Sequence, residues 1–504
     1  MKIFVFSTHA LWQPHLETEL EIIQNHLNKG DTVYRFVCNG DLPVCDVNTS
    51  HALPVCLKCK EMSLCGKKLL EGAITDLPLI HQGSIVKNKI ASFSFNYNST
   101  EELSTIFIDN FDAGVASLSS VISWLREPDL DIQKNRKTID YCLRSSATVY
   151  YSALEYIKEL KPDTIYAFNG RLVHVKPILR AAAKMNVECL IHERGHNKDY
   201  YELYKNTTPH DRKYIVNRMN ELWNAAAPEK RAEIGGSFYT ERVAGKSQGW
   251  YSFTDKQQKG LLPANWSESK RNIVIFNSSE DEFASIGADW KNELYNSQLE
   301  AISRIVDDCR KFTDIHFYLR VHPNLSNVNN SEAKTIKQLS SPNLTVIAAE
   351  DPVSTYDLLF NCEKILAFGS SVGIEAVYWG KPSIQAGKSY YFDMNATYKP
   401  ATHEETIEMI EAKLEPMDKT PALIYGYYFK TFGIAYNYYS AKTLATGTFK
   451  GVNIDQKAEA SINTFKSWRK NFILKYPAYL YEVSYRKNKK RIPDFLLKNL
   501  ERIS

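Results

Sequence analysis

The chain has 504 residues, which is too many for a single hydrophobic core and suits two domains with an extension. Its composition, 44% hydrophobic and 24% charged with a formal net charge of only +4, is that of a soluble globular protein and does not indicate a nucleic-acid partner. No run of about eighteen apolar residues occurs, so no transmembrane helix is expected. Because the first residues form a strand-like run instead of a secretory signal, we expect a cytoplasmic protein with reduced cysteines.

The chain begins with the pattern of a Rossmann-like domain. Residues 2–7 predict a strand, residues 12–28 an amphipathic helix and residues 31–38 a second strand. His9 follows the first strand directly, at the sheet edge where ligands bind in this architecture. The glycine fingerprint of dinucleotide-binding domains is missing there, which argues against a nicotinamide or flavin enzyme.

Five of the nine cysteines fall in an insert at about residues 38–66, after the second predicted strand. Cys56 and Cys59 have the two-residue spacing that thiolate metal ligation favours, so they are candidate ligands of a structural zinc ion or iron–sulfur cluster. A second close pair is absent, because six residues separate Cys38 from Cys45. Buried or redox-labile free thiols therefore remain the alternative.

Two polar loops follow neighbouring predicted strands in this half of the chain. Residues 164–168 and 188–191 predict strands separated by a helix at about residues 176–185, which is a βαβ pattern. Residues 169–171 (Asn-Gly-Arg) follow the first strand, and residues 192–196 (His-Glu-Arg-Gly-His) follow the second. Both loops are expected to open onto one cleft, with residues 209–211 lining its acceptor side.

Glu193 is the candidate general base of that cleft, since a carboxylate enclosed beside histidines and arginines can be tuned to accept a proton from a hydroxyl group. His192 is the second candidate catalytic residue. The alternative is that Glu193 only forms an ion pair with Arg194 or Arg171. The candidate acceptor-binding residues are His9, Asn169, Arg171 and His196.

The second half predicts another α/β domain. Residues 261–269 have the composition of a linker, and residues 272–277 predict the next strand. We therefore expect a first domain at residues 1–260, a second domain at residues 271–430 and a helical extension with a basic tail at residues 431–504.

Candidate phosphate-binding residues follow two strands of that second domain. Residues 315–321 predict a strand that ends at His322 and Pro323, because proline cannot continue a strand ladder. Residues 364–368 predict a buried strand, after which Ser370 and Ser371 precede a helix. An imidazole, two hydroxyls and a helix N-terminus together favour a phosphate, although His-Pro alone is commonly a loop end and Ser-Ser alone an ordinary helix cap.

The region from about Arg271 to Tyr398 resembles the nucleotide-binding domain of bacterial surface-polysaccharide glycosyltransferases of the GT-B type, which include capsule and lipopolysaccharide sugar transferases. The resemblance implies two Rossmann-like domains facing a cleft, with residues 1–260 as the acceptor domain and residues 271–430 as the nucleotide-sugar-binding domain. It also implies a nucleotide-sugar donor linked through UDP, CMP or GDP, with no cofactor required. Residues 387–391 (Gly-Lys-Ser-Tyr-Tyr) resemble a turn that closes the donor pocket, and Glu193 with Gly195 is similar to a segment of capsule sugar transferases. The implied donor-binding residues are Arg320, His322, Ser370, Ser371 and Glu375, with Glu375 on the ribose.

The C-terminal tail carries most of the positive charge. From Ser461 onward, eleven lysines and arginines oppose three acidic residues, and aromatic residues lie among them. This mixture suits an anionic membrane surface, so peripheral association with the inner face of the cytoplasmic membrane is expected. A solvated helical face or a nucleic-acid patch is the alternative.

Three functional hypotheses follow. The first is a glycosyltransferase that moves a sugar to a growing surface glycan or lipid-linked acceptor. The second is a nucleotide-sugar epimerase or a CDP-polyol phosphotransferase on the same scaffold. The third is a metal-binding module built on the cysteine cluster, without catalysis.

Overall fold

The structure, a computed structural model, describes residues 1–91, 93–246 and 254–463. Strands and helices alternate through most of this chain. The elements of the first domain are β1 (Lys2–Ser7), α1 (His15–Asn28), β2 (Thr32–Val37), α2 (Leu53–Lys67), β3 (Thr75–Pro78), α3 (Ser84–Ala91), α4 (Thr100–Ser104), α5 (Ala113–Leu125), α6 (Ile132–Leu160), β4 (Thr164–Phe168), α7 (Lys176–Lys184), β5 (Glu188–Arg194), β6 (Tyr200–Lys205), α8 (Arg212–Ala225) and α9 (Pro228–Val243).

A second domain and a C-terminal segment follow. The elements of the second domain are β7 (Arg271–Phe276), α10 (Glu280–Ile286), α11 (Gln298–Asp308), β8 (Ile315–Arg320), α12 (Ser331–Ile336), β9 (Leu344–Ile347), α13 (Thr355–Asn361), β10 (Lys364–Ala367), α14 (Val372–Tyr378), β11 (Ser383–Gln385) and α15 (His403–Glu411). The elements of the C-terminal segment are α16 (Thr420–Thr431), β12 (Ile434–Ala435), β13 (Tyr439–Ala441) and β14 (Gly447–Phe449).

Each domain contains a parallel sheet with the same strand order. In the first domain the order is β3-β2-β1-β4-β5, and β6 and β12 add antiparallel strands beyond β5. In the second domain the order is β9-β8-β7-β10-β11, and all the strands are parallel. The order reverses between β1 and β4 and between β7 and β10, where open sheets of this kind bind ligands. The predicted pair of Rossmann-like domains is confirmed.

The central strands are continuous apolar runs, because elements pack on both faces of each sheet. Residues 3–6 of β1 (Ile-Phe-Val-Phe) and residues 273–275 of β7 (Ile-Val-Ile) have no exposed surface. Burying one such side chain contributes about 1.5–3 kcal/mol. The two sheets are therefore rigid supports for the loops at their carboxyl ends.

The C-terminal segment returns to the first domain. α16 packs along α8 and α9, and β12 pairs with β6. The backbones of α9 and α16 approach so closely that a Cβ atom on Gly235 would lie 2.3 Å from the Leu423 carbonyl oxygen, and one on Gly426 would lie 2.2 Å from the Gly235 oxygen. Only glycine fits at these two positions.

The segment after α16 differs from the helical extension expected there. Its described part begins with the strands β12, β13 and β14. β12 pairs with the edge strand β6, whose backbone groups would otherwise be unpaired, and β13 pairs with β14. Residues 454–463 are helical. The rest of the basic tail lies outside the described residues.

None of the helices in the described part of the chain has both the length and the apolar character needed to cross a membrane.

Candidate functional site

The carboxyl ends of the two sheets face a shared cavity of about 490 Å³. Glu193 and His196 line it from the first domain, and His322, Ser370 and Ser371 line it from the second. A second cavity of about 100 Å³ adjoins it, and the two share Arg242, His322, Ser370 and Ser371 as lining residues. The smaller cavity is lined by all five predicted donor-binding residues, namely Arg320, His322, Ser370, Ser371 and Glu375.

His322 projects just beyond the end of β8 and is held in one orientation. Its backbone N–H donates to the Asn277 side-chain oxygen at 2.9 Å, and its ring Nδ1 accepts from the Asn324 N–H at 3.2 Å. Burial, together with the nearby charges of Arg126 and Arg320, lowers the pKa of His322 to about 4. The ring is therefore neutral at neutral pH with its proton on Nε2, which makes Nε2–H a hydrogen-bond donor.

Ser370 and Ser371 stand at the start of α14, as the sequence predicts. The Val372 N–H donates to Ser370 Oγ at 3.3 Å, and the Ser371 hydroxyl donates to a Glu375 carboxylate oxygen at 3.0 Å. Gly369 precedes them with a φ of +80°, and a Cβ atom there would clash with the Phe283 ring and the Lys388 carbonyl oxygen. This glycine lets the two hydroxyls turn into the space between the domains.

Glu375 is fully buried and already accepts hydrogen bonds within the protein. Besides Ser371, the Tyr356 hydroxyl donates to it at 2.9 Å, and a guanidinium nitrogen of Arg242 lies 3.2 Å away. Burial alone would lower the pKa of Arg242, but the nearby Glu375 carboxylate has the larger effect and raises this pKa above its usual value. Glu375 thus holds Arg242 against the smaller cavity, so its expected contact with a ribose must compete with this arginine.

Arg320 lines the smaller cavity and holds one of the neighbouring loops in place. Its guanidinium donates to the backbone oxygens of Ala348 at 2.6 Å and Asp351 at 3.0 Å, so it fixes the loop that follows β9. Burial lowers the pKa of Arg320, but an arginine stays charged at any physiological pH. Arg320 therefore provides a buried positive charge that can attract an anionic ligand.

Glu193 lies near the end of β5, with a fifth of its side chain exposed to the larger cavity. The Asn169 side-chain amide donates to it at 3.0 Å, the Arg194 backbone N–H donates to it at 3.1 Å, and His15 Nε2 is 3.6 Å away. Burial raises the pKa of Glu193 despite the hydrogen bond from Asn169. The Glu193 carboxylate is thus partly exposed and binds a proton more tightly than usual, and both properties suit a general base.

Four other predicted residues do not line the cavity. His192 has no exposed surface and lies 3.6 Å from the buried Glu19, because β5 continues through residue 194 and successive side chains alternate between its faces. Arg171 donates to Ser119 and Ser123, which ties its loop to α5. The other two are Asn169, which supports Glu193, and His9, which is buried in the first domain.

The part of the larger cavity where the sequence predicted an acceptor is more aromatic than the sequence indicated. His196 lines it, with Nδ1 2.7 Å from a Glu202 carboxylate oxygen. Pro209 and His210 line it as well, and the His210 ring contacts the Tyr390 hydroxyl across the domains at 3.1 Å. Burial lowers the pKa of His210 to about 3. The aromatic residues around the cavity include Phe238, Tyr390, Tyr391, Tyr425, Tyr428 and Phe429.

Several of these residues could not be singled out from the sequence. Arg242 belongs to α9, and Tyr425, Tyr428 and Phe429 belong to α16, so none of them follows a strand of either sheet. They reach the cavity because α9 and α16 pack together where the chain returns to the first domain. The aromatic run at residues 425–429 (Tyr-Gly-Tyr-Tyr-Phe) was the one feature of the sequence that could have marked α16 as part of a binding site.

The predicted cysteine pair is not the centre of a ligand cluster in the described residues. All nine cysteines are free thiols, and Cys56 and Cys59 line a small cavity at α2. Cys56 accepts a hydrogen bond from the Asn48 side chain. In the described chain, the close group of metal-ligating side chains is instead His9, Cys45 and His174.

No family model matches the chain, and no curated protein matches it. Among solved structures, it is similar to the KpsC beta Kdo 2,4 transferase of Thermosulfurimonas dismutans, with 12% identity over 53% of this chain and 79% of that one, at a TM-score of 0.33. It is also similar to the UDP-GlcNAc 2-epimerase of Methanocaldococcus jannaschii, with 13% identity over 84% and 98% of the two chains and a TM-score of 0.28. The glycosyltransferase SnogD of Streptomyces nogalater shares 9% identity over 85% and 95%, with a TM-score of 0.25. At such TM-scores these likenesses decide nothing about activity.

Proposed function

We propose that the protein is a nucleotide-sugar-dependent glycosyltransferase that moves a sugar to a growing surface glycan or lipid-linked acceptor, as in capsule or lipopolysaccharide biosynthesis. The observation that carries this proposal is the position of all five predicted donor residues around one cavity, which adjoins the cavity of Glu193. A site for an anionic donor and a carboxylate that can accept a proton thus share one interdomain cleft.

The donor phosphates lie between the His322 ring and the start of α14. His322 Nε2–H and the Ser370 hydroxyl donate to phosphate oxygens, and the positive charge of Arg242 stands beside them. The Ser371 hydroxyl, which donates to Glu375 in the free protein, turns from that carboxylate to the phosphate when the donor binds. The nucleoside occupies the smaller cavity, where Tyr356 and Glu375 form part of the wall. The sugar then extends into the larger cavity.

Transfer requires the acceptor hydroxyl to lose its proton as it attacks. The acceptor oxygen forms a bond to the anomeric carbon, the bond from that carbon to the phosphate oxygen breaks, and the proton passes to Glu193. The released nucleotide carries the negative charge, which His322 and Arg242 stabilise as it develops. The raised pKa of Glu193 makes its carboxylate a better base than an exposed one.

The aromatic walls of the larger cavity suit a glycan acceptor. Tyrosine and phenylalanine rings pack on the apolar faces of sugars, while tyrosine hydroxyls can bond to sugar hydroxyls. Arg194 and Lys430 also line this cavity, but so do Glu193, Glu202 and Glu282, and Lys430 forms an ion pair with Glu241. The charge of the cavity therefore does not favour an acidic acceptor over a neutral one.

Thermal unfolding in the presence of UDP, CMP or GDP tests donor binding first. A nucleotide at a hundredfold its dissociation constant stabilises the folded protein by about 2.7 kcal/mol, and Ser371→Ala should reduce that shift. Turnover is then measured with the matching nucleotide sugar, with and without a lipid-linked oligosaccharide. Release of nucleotide only with the acceptor supports transfer, whereas conversion of the donor alone would favour an epimerase, and a phosphate found on the product would favour a phosphotransferase.

A further inference from the structure

A second cluster of reactive side chains lies inside the first domain. His9 follows β1, Cys45 lies in the loop after β2, and His174 lies in the loop between β4 and α7. One ring nitrogen from each histidine and the Cys45 sulfur lie within 4.8 Å of one another. Both histidines are 2% exposed. Three loops that are distant in the sequence thus bring two imidazoles and a thiol to one buried point.

A buried carboxylate orients the His9 ring and lies near His174. Asp46 accepts from the Ser120 hydroxyl at 2.6 Å and from the Trp124 ring N–H at 3.2 Å, so it is held in place. His9 Nε2 lies 3.2 Å from its other oxygen, which leaves His9 Nδ1, 2.7 Å from the Thr8 hydroxyl, as the nitrogen for a metal. His174 Nδ1 lies 3.7 Å from that same Asp46 oxygen. A carboxylate that accepts from the second nitrogen of a histidine is the usual support of a metal-binding imidazole.

Two further observations indicate a ligand at this point. His174 Nε2 is buried and has no hydrogen-bond partner, which costs about 1–3 kcal/mol unless a ligand satisfies it. Cys45 also borders a cavity of about 20 Å³, which neither histidine lines but which has enough space for a water molecule next to the thiol. Three more thiols, those of Cys38, Cys56 and Cys59, line the same cavity.

We propose that His9, Cys45 and His174 bind one zinc ion that holds together the loops after β1, β2 and β4. Two imidazole nitrogens and a thiolate are ligands that Zn²⁺ prefers, and its fourth position is filled by a water molecule. None of the three residues lines the cleft between the domains. The zinc site is therefore structural and does not depend on the proposed transferase activity.

The test is the metal content of the full chain purified from zinc-supplemented medium, measured by plasma mass spectrometry. We expect one zinc per chain in the wild type and background levels in Cys45→Ser and His174→Gln. Cys65→Ser is the matched control, because Cys65 lies on the same insert but away from the small cavity, and it should retain the metal. Circular dichroism identifies any variant that fails to fold.

Cobalt substitution provides a readout that does not rely on the variants. Wild-type protein loaded with Co²⁺ should show a thiolate-to-cobalt charge-transfer band, and removal of zinc by a chelator should lower the unfolding temperature. A folded wild type without stoichiometric zinc would overturn the proposal. So would a thiolate–cobalt band that persists in folded Cys45→Ser, because the thiolate would then come from another cysteine.

Discussion

The orientation of His322 leads to a prediction that two near-isosteric substitutions can test. The ring accepts a hydrogen bond at Nδ1 from the Asn324 N–H, so its proton lies on Nε2, the atom that we propose donates to a phosphate. In His322→Asn, the amide oxygen replaces Nδ1 and the donor is lost, whereas in His322→Gln the amide nitrogen replaces Nε2 and the donor is kept. A hydrogen bond to a charged group contributes about 1.5–3 kcal/mol, so His322→Asn should weaken nucleotide binding by about 10- to 150-fold. His322→Gln should bind within a few-fold of the wild type.

Isothermal titration with the nucleotide identified by thermal shift measures both affinities, and unfolding temperatures show whether the fold is retained. Because the pKa of His322 is about 4, its ring is already neutral, and affinity should stay level from about pH 7 to pH 8.5, where phosphates are fully ionised. Equal losses of nucleotide affinity in the two variants would refute the idea that His322 Nε2–H is the hydrogen-bond donor to the phosphate. An affinity that falls tenfold for each pH unit would instead mean that His322 binds phosphate as a cation.

Further predictions concern catalysis, stability and the tail. Glu193→Gln should leave donor affinity near the wild-type value and slow single-turnover transfer by about a hundredfold or more, so wild-type turnover would return Glu193 to a structural role. Burial raises the pKa of Glu332 to about 8, from an ordinary value of 4.5 for a glutamate. The contribution of Glu332 to the stability of the folded protein is therefore fully present below pH 4.5 and is lost as the pH rises towards 8. Glu332→Gln should therefore raise the unfolding temperature at about pH 9 but not at about pH 4.5, by the equivalent of about 1 kcal/mol or more; an unchanged difference between the two pH values would contradict this. Charge reversal in the tail should abolish co-sedimentation with anionic liposomes at low salt, and binding that survives would leave the tail a solvated face. The four positions to reverse are Arg486, Lys487, Lys489 and Lys490.

The fold, and the residues that line the smaller cavity, could be predicted because their signals are local. A strand that ends at His322 and Pro323, and another that is followed by Ser370 and Ser371, place those side chains at a sheet edge whatever the rest of the chain does. The same logic located Glu193. The alternation of strands and helices in turn predicted the α/β architecture, because a helix between two strands is the usual connection of a parallel sheet.

The remaining part of the site depends on long-range packing that no local pattern encodes. The predicted strand at residues 188–191 ended too early, and the three additional strand residues of β5 place His192 and Glu193 on opposite faces. Arg242 meets Glu375 only because α9 packs against the second domain. His9 was assigned to the cleft from its place after β1, but the loop after β2 folds over it and supplies Asp46.

The paired glycines of α9 and α16 have a consequence for the wall of the larger cavity. α9 carries Arg242 and α16 carries Tyr425 and Phe429, and all three line that cavity. A Cβ atom on Gly235 or Gly426 would meet a backbone oxygen of the other helix at 2.3 Å or 2.2 Å, so a larger residue at either position must push the two helices apart. Such a substitution would move the cavity wall without altering any side chain that faces the cavity.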